Sequence, residues 1–399
     1  MRYLLYILLI CLPYALAAQK ADMIILQAKA AAEKNDYGTA VELLASINPN
    51  NLTAMKFKAD CFYGINNYDE ALQAYFTINK LFKDEAMFEI AKCYAAKGNV
   101  DEALSWLEKY LNLKNKLDEY AIVSDKAFQS LTNTKQWKNI WKKDWYSQSE
   151  IQQNAVYSLL RIGNGQAALD ELDKEQSRSI PRHVYFACRA KTYTQLKQWE
   201  AALSNINEAL ELQKSIDDYW IVRGNIYFEV AEYAKAEEDY SKAMKLNPYI
   251  IPLYLKRSEA ARLAGDFSQA AEDMDIYQQL YPKTPETIYQ LGKLEAAREN
   301  FSEAIAYFNK LLSKNKSNPE YYMERGLIEL KIEDYQAADE DFGMALDLNP
   351  SLREAYLNKG KIRIYLLDND SACFNFEKAS SLGSVEASKL YVEHCSKQK

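Results

Sequence analysis

Histidine is nearly absent: His183 and His394 are the whole supply in a chain of 399 residues. Two imidazoles leave little room for His-rich metal sites or a His-based catalytic triad. Glycine (12) and proline (9) are also scarce, at about half their usual share. So little punctuation allows few turns and implies long stretches of helix. A basic excess is missing too. Asp and Glu number 56 against 49 Lys and Arg, a net charge of -7, which argues against a nucleic-acid-binding protein. Mean hydropathy is -0.41, so this is not a multi-span membrane protein.

One apolar run stands out, Tyr3 to Leu16, after Met1-Arg2 and overlapping Ala15-Leu16-Ala17. It falls short of the roughly 20 residues a spanning helix needs. A basic start, an apolar run and a small-x-small site read as an export signal, cut after Ala17 or Ala18. Residues 1–18 are therefore expected to be a leader, and the protein periplasmic or secreted. Beyond Cys11 the cysteines are Cys61, Cys93, Cys188, Cys373 and Cys395. An odd, scattered set is no disulfide framework. Buried thiols explain most of them, with a Cys373–Cys395 bridge as the alternative for that pair.

What the chain does have is a 34-residue period. Gly224, Gly292, Gly326 and Gly360 share it, with Ser258 and Ala190 in phase. Ala202, Ala236, Ala270, Ala304, Ala338 and Ala372 share it, as do Pro248, Pro282 and Pro350. Aromatics keep step at Trp199, Tyr233, Phe267, Phe301 and Tyr335, and again at Tyr240, Phe308, Phe342 and Phe376. Ala28, Ala59 and Ala91 mark three earlier units with shorter spacing. Two short helices cannot bury their apolar faces alone, so such units stack and share a core. Small residues let helices approach, aromatics are expected to fill gaps between units, and Pro ends a unit.

The pattern Trp220, Gly224, Tyr227, Tyr233, Ala236, Tyr240, Ala243, Pro248 resembles the tetratricopeptide repeat family. The resemblance implies an all-α, right-handed superhelical solenoid of antiparallel helix pairs. The expected layout is an N-terminal block at 19–112 of about three units, a connector at 113–148, a C-terminal block at 149–386 of about seven units, and a capping helix at 387–399. Ala387, Leu390, Tyr391 and His394 would form the cap's packed face. The connector holds three of the 6 Trp, Trp137, Trp141 and Trp145, at one helical face among Lys135, Lys138, Lys142 and Lys143. A Trp helix packed between the blocks is one reading, and a membrane-surface or partner helix the other.

Family geometry implies that partners lie in a groove along the first helix of each unit. The candidate groove residues are Ile221, Asn225, Phe228, Leu255, Glu259, Tyr289, Lys293, Met323, Leu327, Leu330, Leu357 and Lys361. They form an apolar stripe edged with mixed charge, suited to a peptide segment. Packing against the next unit would select the same apolar residues. Asp218, Glu286, Glu320 and Glu354 fall in first helical turns, where the dipole favours carboxylates. Arg223/Asp239, Arg257/Asp273 and Arg325/Asp341 stand sixteen apart, and Leu291/Tyr307 replaces both charges together. Such pairs are expected to bridge the two helices of a unit. The heat-shock carboxylate clamp of this family needs a Lys and an Asn on one helix. Asn225 stands beside Ile221 instead, so that role is not expected.

No phosphate loop, GxSxG, HExxH or CxxC is present, and repeats occupy nearly every stretch. The expected function is a non-enzymatic exported scaffold that binds a protein or peptide, without cofactor or metal. Two rival readings are a cell-envelope glycan or polymer binder, suggested by 30 Tyr, and a lumenal co-chaperone. The second lacks a J-type domain.

Overall fold

A computed structural model describes residues 20–174 and 179–395. The expected leader at 1–18 lies outside the described residues, as do the last residues of the expected cap. Among the described residues every regular element is helical. The chain divides into two compact units, 1–253 and 254–399.

The first unit begins with α1 over residues 20–33. Then follow α2 (Tyr37–Leu44), α3 (Leu52–Gly64), α4 (Tyr68–Leu81), α5 (Met87–Ala96) and α6 (Val100–Leu111). These are three antiparallel A/B pairs. The connector carries α7 (Glu119–Val123), a 3-10 turn at Lys126–Phe128 and α8 (Lys135–Ile140). Pairs resume with α9 (Gln148–Arg161), α10 (Gly165–Leu172), α11 (Arg182–Gln195), α12 (Trp199–Leu212), α13 (Asp217–Glu229) and α14 (Tyr233–Leu246). α15 (Pro252–Ala264) runs across the boundary, and the second unit continues with α16 (Phe267–Leu280), α17 (Pro285–Ala297), α18 (Phe301–Lys314), α19 (Pro319–Lys331), α20 (Tyr335–Leu348), α21 (Arg353–Tyr365) and α22 (Asn369–Ser381). The last helix is α23 (Val385–Cys395). The unit boundary thus falls inside the block expected at 149–386 and not at the connector.

Local chemistry sets the helix ends. Each A helix closes on a residue with left-handed backbone, at Lys197, Ala231, Gly265, Glu299, Glu333 and Leu367. The following N–H reaches back five residues, as Asp266 does to the Ala261 carbonyl at 2.8 Å and Asp334 to Glu329 at 2.9 Å. That is the Schellman closure, and it turns the chain sharply into helix B. Several B helices end at an extended Asn whose side chain takes the N–H two residues on. Asn247 does so for Tyr249, Asn315 for Ser317 and Asn349 for Ser351. Starts are capped by side chains too: Ser147 and Glu150 form a reciprocal capping box on α9, and Thr284 precedes Pro285 on α17.

The glycines mark where helix A meets helix B. A Cβ on Gly224 would sit 2.8 Å from the Tyr240 ring, on Gly292 3.0 Å from Phe308, and on Gly360 2.5 Å from Phe376. This corrects one expectation. These aromatics do not fill gaps between units; each lies on the small residue of its own unit. A residue sixteen positions on, across an antiparallel turn, faces that glycine directly. Seams between units use other rings, such as Tyr289 against Tyr321 at 5.8 Å between centroids.

The connector also departs from expectation. Its helix spans only Lys135–Ile140, so Trp137, Trp141 and Trp145 do not share one long helical face. The Trp145 Nε1–H donates to the Ile140 carbonyl at 2.9 Å, which satisfies the helix end and folds the chain back. All three Trp pack with Phe88, Phe128 and Leu131 in one apolar cluster. The Trp residues thus pack on the N-terminal block, and the cluster holds no residue of the later block, so packing between the blocks is not what it shows. At the other end α23 lies on α22. Ala387, Leu390 and His394 face inward, His394 stacking on Phe376 at 6.4 Å. Tyr391, expected on that face, is 36% exposed, one helical step round from it. Cys373 and Cys395 form a disulfide that pins α23 to α22. Cys61, Cys93 and Cys188 are buried free thiols.

Candidate partner-binding groove

Successive A helices approach one another, α11 with α13 in the first unit and α17 with α19 in the second. The side on which neighbours close up is the inside of the curve, so the A helices line the concave face.

In the first unit the candidates sit on α13. Ile221 and Phe228 are half-buried, and Phe228 packs edge-on against Tyr233 at 5.4 Å. Asn225 is engaged inside its own repeat: its Oδ1 accepts from the Tyr240 hydroxyl at 3.0 Å. It is a brace for the buried tyrosine, and Ile221 beside it gives no clamp.

In the second unit the candidates run along α15, α17, α19 and α21. Leu255, Tyr289 and Leu330 are half-buried, while Leu327 is 37% exposed. Met323 and Leu357 are buried at 8% and 9% exposure and belong to the packing between repeats. The charges pair with one another from repeat to repeat. Lys293 Nζ meets Glu259 at 3.1 Å and Lys361 meets Glu386 at 2.6 Å. The Tyr289 hydroxyl donates to Glu324 at 3.2 Å. Burial, then the Glu324, Glu320 and Glu259 carboxylates, push the Tyr289 phenol far above its ordinary value. The ladder leaves Leu327 as an apolar opening between two neutralised lysines.

The Arg–Asp pairs are structural, as expected. Arg223 grips Asp239 through Nε at 2.6 Å and Nη2 at 2.8 Å. Arg325 grips Asp341 at 2.6 Å through both nitrogens, and Arg257 grips Asp273 at 2.8 Å through Nε and 2.6 Å through Nη2. A third partner was not foreseen. Arg223 also reaches Asn207, and Arg325 reaches Asn309, each sixteen residues back on the preceding B helix. The arginine thus ties two repeats together. Beside Arg325, Glu329 is nearly buried and its Oε2 has no hydrogen-bond partner. Desolvation, reinforced by Asp341, raises its carboxyl to about 8.

The first block holds a concave-face cluster that the sequence reading passed over. On α3 and α5, Lys56 pairs with Glu85 at 2.5 Å and Lys92 with Asp125 at 3.1 Å. The Tyr75 hydroxyl donates to Asp60, which is open to water yet recessed, and desolvation raises its carboxyl. The available signal was Ala28, Ala59 and Ala91. Counting forward from those small residues places Lys29, Asp60 and Lys92 at one helix-A position. The shorter spacing of these units hid the register.

Three stretches match models described as tetratricopeptide repeat: residues 84–117, 217–250 and 289–362. A solved tetratricopeptide repeat protein from Parabacteroides merdae ATCC 43184 aligns at 20% identity and TM-score 0.54, over 61% of this chain and 98% of that one. A chain of the APC/C hetero-tetramer Cut9-Hcn1 aligns at 15% identity and TM-score 0.46, over 92% of this chain and 82% of that one. Yeast Tom70 aligns at 13% and 0.42, over 94% of each chain. No curated protein matches the chain. Helix pairs at a 34-residue period, a glycine–aromatic contact inside each pair and the three family matches agree: the chain is a tetratricopeptide repeat protein.

Proposed function

We propose that this repeat protein is an exported, non-enzymatic scaffold that holds a segment of a partner protein along the concave face of its A helices. The observation that carries the reading is the exposed Leu327, with half-buried Leu255, Tyr289 and Leu330 on the same helix faces. Apolar contacts there give affinity, and the flanking Glu259–Lys293 and Lys361–Glu386 pairs give register. Export draws support from the leader-like Tyr3–Leu16 run and from the Cys373–Cys395 bridge, since disulfides persist in oxidising compartments. The glycan reading loses much of its motivation. Tyr75, Tyr219, Tyr240, Tyr321 and Tyr322 are buried packing residues, not free sugar platforms.

The test is capture of the native partner by the purified chain and by the double variant Leu255→Asp with Leu327→Asp. Met323 is left intact because it is buried. The variant should keep its helicity and lose the partner; full capture by a folded variant would overturn the groove assignment.

A further inference from the structure

Each repeat meets its neighbour along a seam between two helix pairs. One three-residue register recurs across these seams. Its first place is the residue before the small residue of helix A. Its second is the third residue after the small residue of helix B, and its third is the fifth after the small residue of the preceding helix B. In the seam of α12 with α13 and α14 these places hold Arg223, Asp239 and Asn207, a charged clamp. Other cations at the first place also meet a carboxylate. Arg189 meets Asp173 at 2.8 Å, and Lys359 meets Asp339 at 2.9 Å. Apolar bulk can close a seam instead. In the seam of α4 with α5 and α6 the places hold Ile90, Trp106 and Phe76, and the Phe76 and Trp106 rings meet edge-on at 5.6 Å.

The first seam, of α2 with α3 and α4, has neither closure. Its three places are Lys58, Ala74 and Ala45. The cation is kept, and both of its partners are cut back to methyl groups. Lys58 is half-buried, with its Nζ 6.0 Å from the Phe62 ring. It makes no ion pair among the described residues, with Glu70 at the edge of the same cleft included. The seam therefore stands open to solvent as a cleft of about 590 Å³, walled by Leu44, Met55, Phe62 and Leu81. The short second helix adds room, since α2 has 8 residues where α4 has 14. A half-buried charge without a partner costs free energy that a counter-charge regains. Apolar walls strengthen that attraction by lowering the local dielectric.

We infer that this seam is a second docking cleft, for a segment of another protein that carries an aspartate or glutamate beside apolar side chains. The segment's carboxylate pairs with Lys58 as Asp239 pairs with Arg223, and its apolar neighbours lie on Leu44, Met55, Phe62 and Leu81. The incoming chain thus supplies the acid that other repeats supply for themselves. Charge selects the segment, and apolar contact holds it. The cleft lies wholly in the first unit. It shares no residue with the A-helix groove proposed above and stands whether or not that groove binds anything.

The probe is a library of random decapeptides displayed on phage, selected on the whole chain and counter-selected on the chain carrying Ala74→Asp. That variant gives Lys58 a carboxylate at the place Asp239 holds, so it fills the site and keeps the lysine. Peptides that bind the unaltered chain and not the variant should carry Asp or Glu next to an apolar residue. A synthetic copy should bind about tenfold more tightly than its Asn or Gln counterpart, and Lys58→Met should erase that difference at unchanged helicity. If Ala74→Asp does not fold, Lys58→Met serves for the counter-selection. Recovering no such peptides, recovering peptides without a carboxylate, or finding that Lys58→Met leaves the preference intact would overturn the cleft.

Discussion

Gly360 and Gly343 are both helix-interior glycines, and alanine should have opposite effects at the two. Relief of the backbone entropy cost favours alanine by roughly 0.5–1 kcal/mol in either helix. At Gly343 the new methyl meets only Lys359 Nζ at 3.5 Å, the end of a flexible side chain. Gly343→Ala should therefore keep nearly all of that gain. At Gly360 the methyl would stand 2.5 Å from the Phe376 ring, which is fully buried. Carbon atoms prefer about 3.5–4.0 Å, so the ring or helix must yield by about 1 Å. Overpacking of that kind costs about 1–3 kcal/mol, and a trapped ring argues for the upper end. Gly360→Ala should then be destabilising by about 2 kcal/mol net, and the two variants should differ by about 3 kcal/mol. Repeat arrays need not unfold in one step, so the readout is amide hydrogen exchange within α20 for Gly343→Ala and within α21 and α22 for Gly360→Ala. Adding Phe376→Leu should recover part of the loss. Equal stabilisation by both alanines would refute the claim that the glycine–aromatic contact sets the approach of helices A and B.

Arg257→Ala leaves Asp273 buried without its partner and should cost about 3–5 kcal/mol by denaturant unfolding. Replacing the pair by Leu and Tyr, as residues 291 and 307 do in the next repeat, should cost far less, because an apolar pair removes the desolvation of both charges. Glu329 holds its proton to about 8 in the folded chain, above the ordinary 4.5. The folded state thus binds more protons in that window, so the stability from this group is full below 4.5 and lost as pH rises through 8. Glu329→Gln should flatten that slope in a pH series of unfolding curves, and an unchanged slope would contradict it. Peptide mapping without reductant should find Cys373 joined to Cys395 and leave Cys61, Cys93 and Cys188 as thiols. Cys395→Ser should weaken the α22–α23 cap by about 3 kcal/mol, the loop entropy for a 22-residue separation.

The repeat was legible because small residues, aromatics and turns recur at a fixed period and each type has one packing job. The Arg–Asp bridges were legible for the same reason: charge was gained and lost in pairs. Asn207 and Asn309 were not, since a hydrogen-bond partner on the preceding repeat leaves no paired substitution to read. The connector misled because Trp137, Trp141 and Trp145 have helical spacing, yet a carbonyl satisfied by Trp145 ends the helix at Ile140. The groove was legible only in part. Apolar residues along the A-helix face serve both packing and binding, and only burial separates Met323 from Leu327. The contact of Tyr249 with Asp22 and Lys29 on α1 was beyond reach, because nothing periodic joins residues so far apart.

The central claim is that the A-helix face, and not the B-helix face, meets the partner. A photo-crosslinking residue placed at Leu327 on α19, and in a second strain at Met344 on α20, compares two exposed positions in living cells. The account predicts one defined protein adduct from position 327, lost when Leu255→Asp is added, and none from position 344. An adduct from position 344 with none from 327 would contradict it.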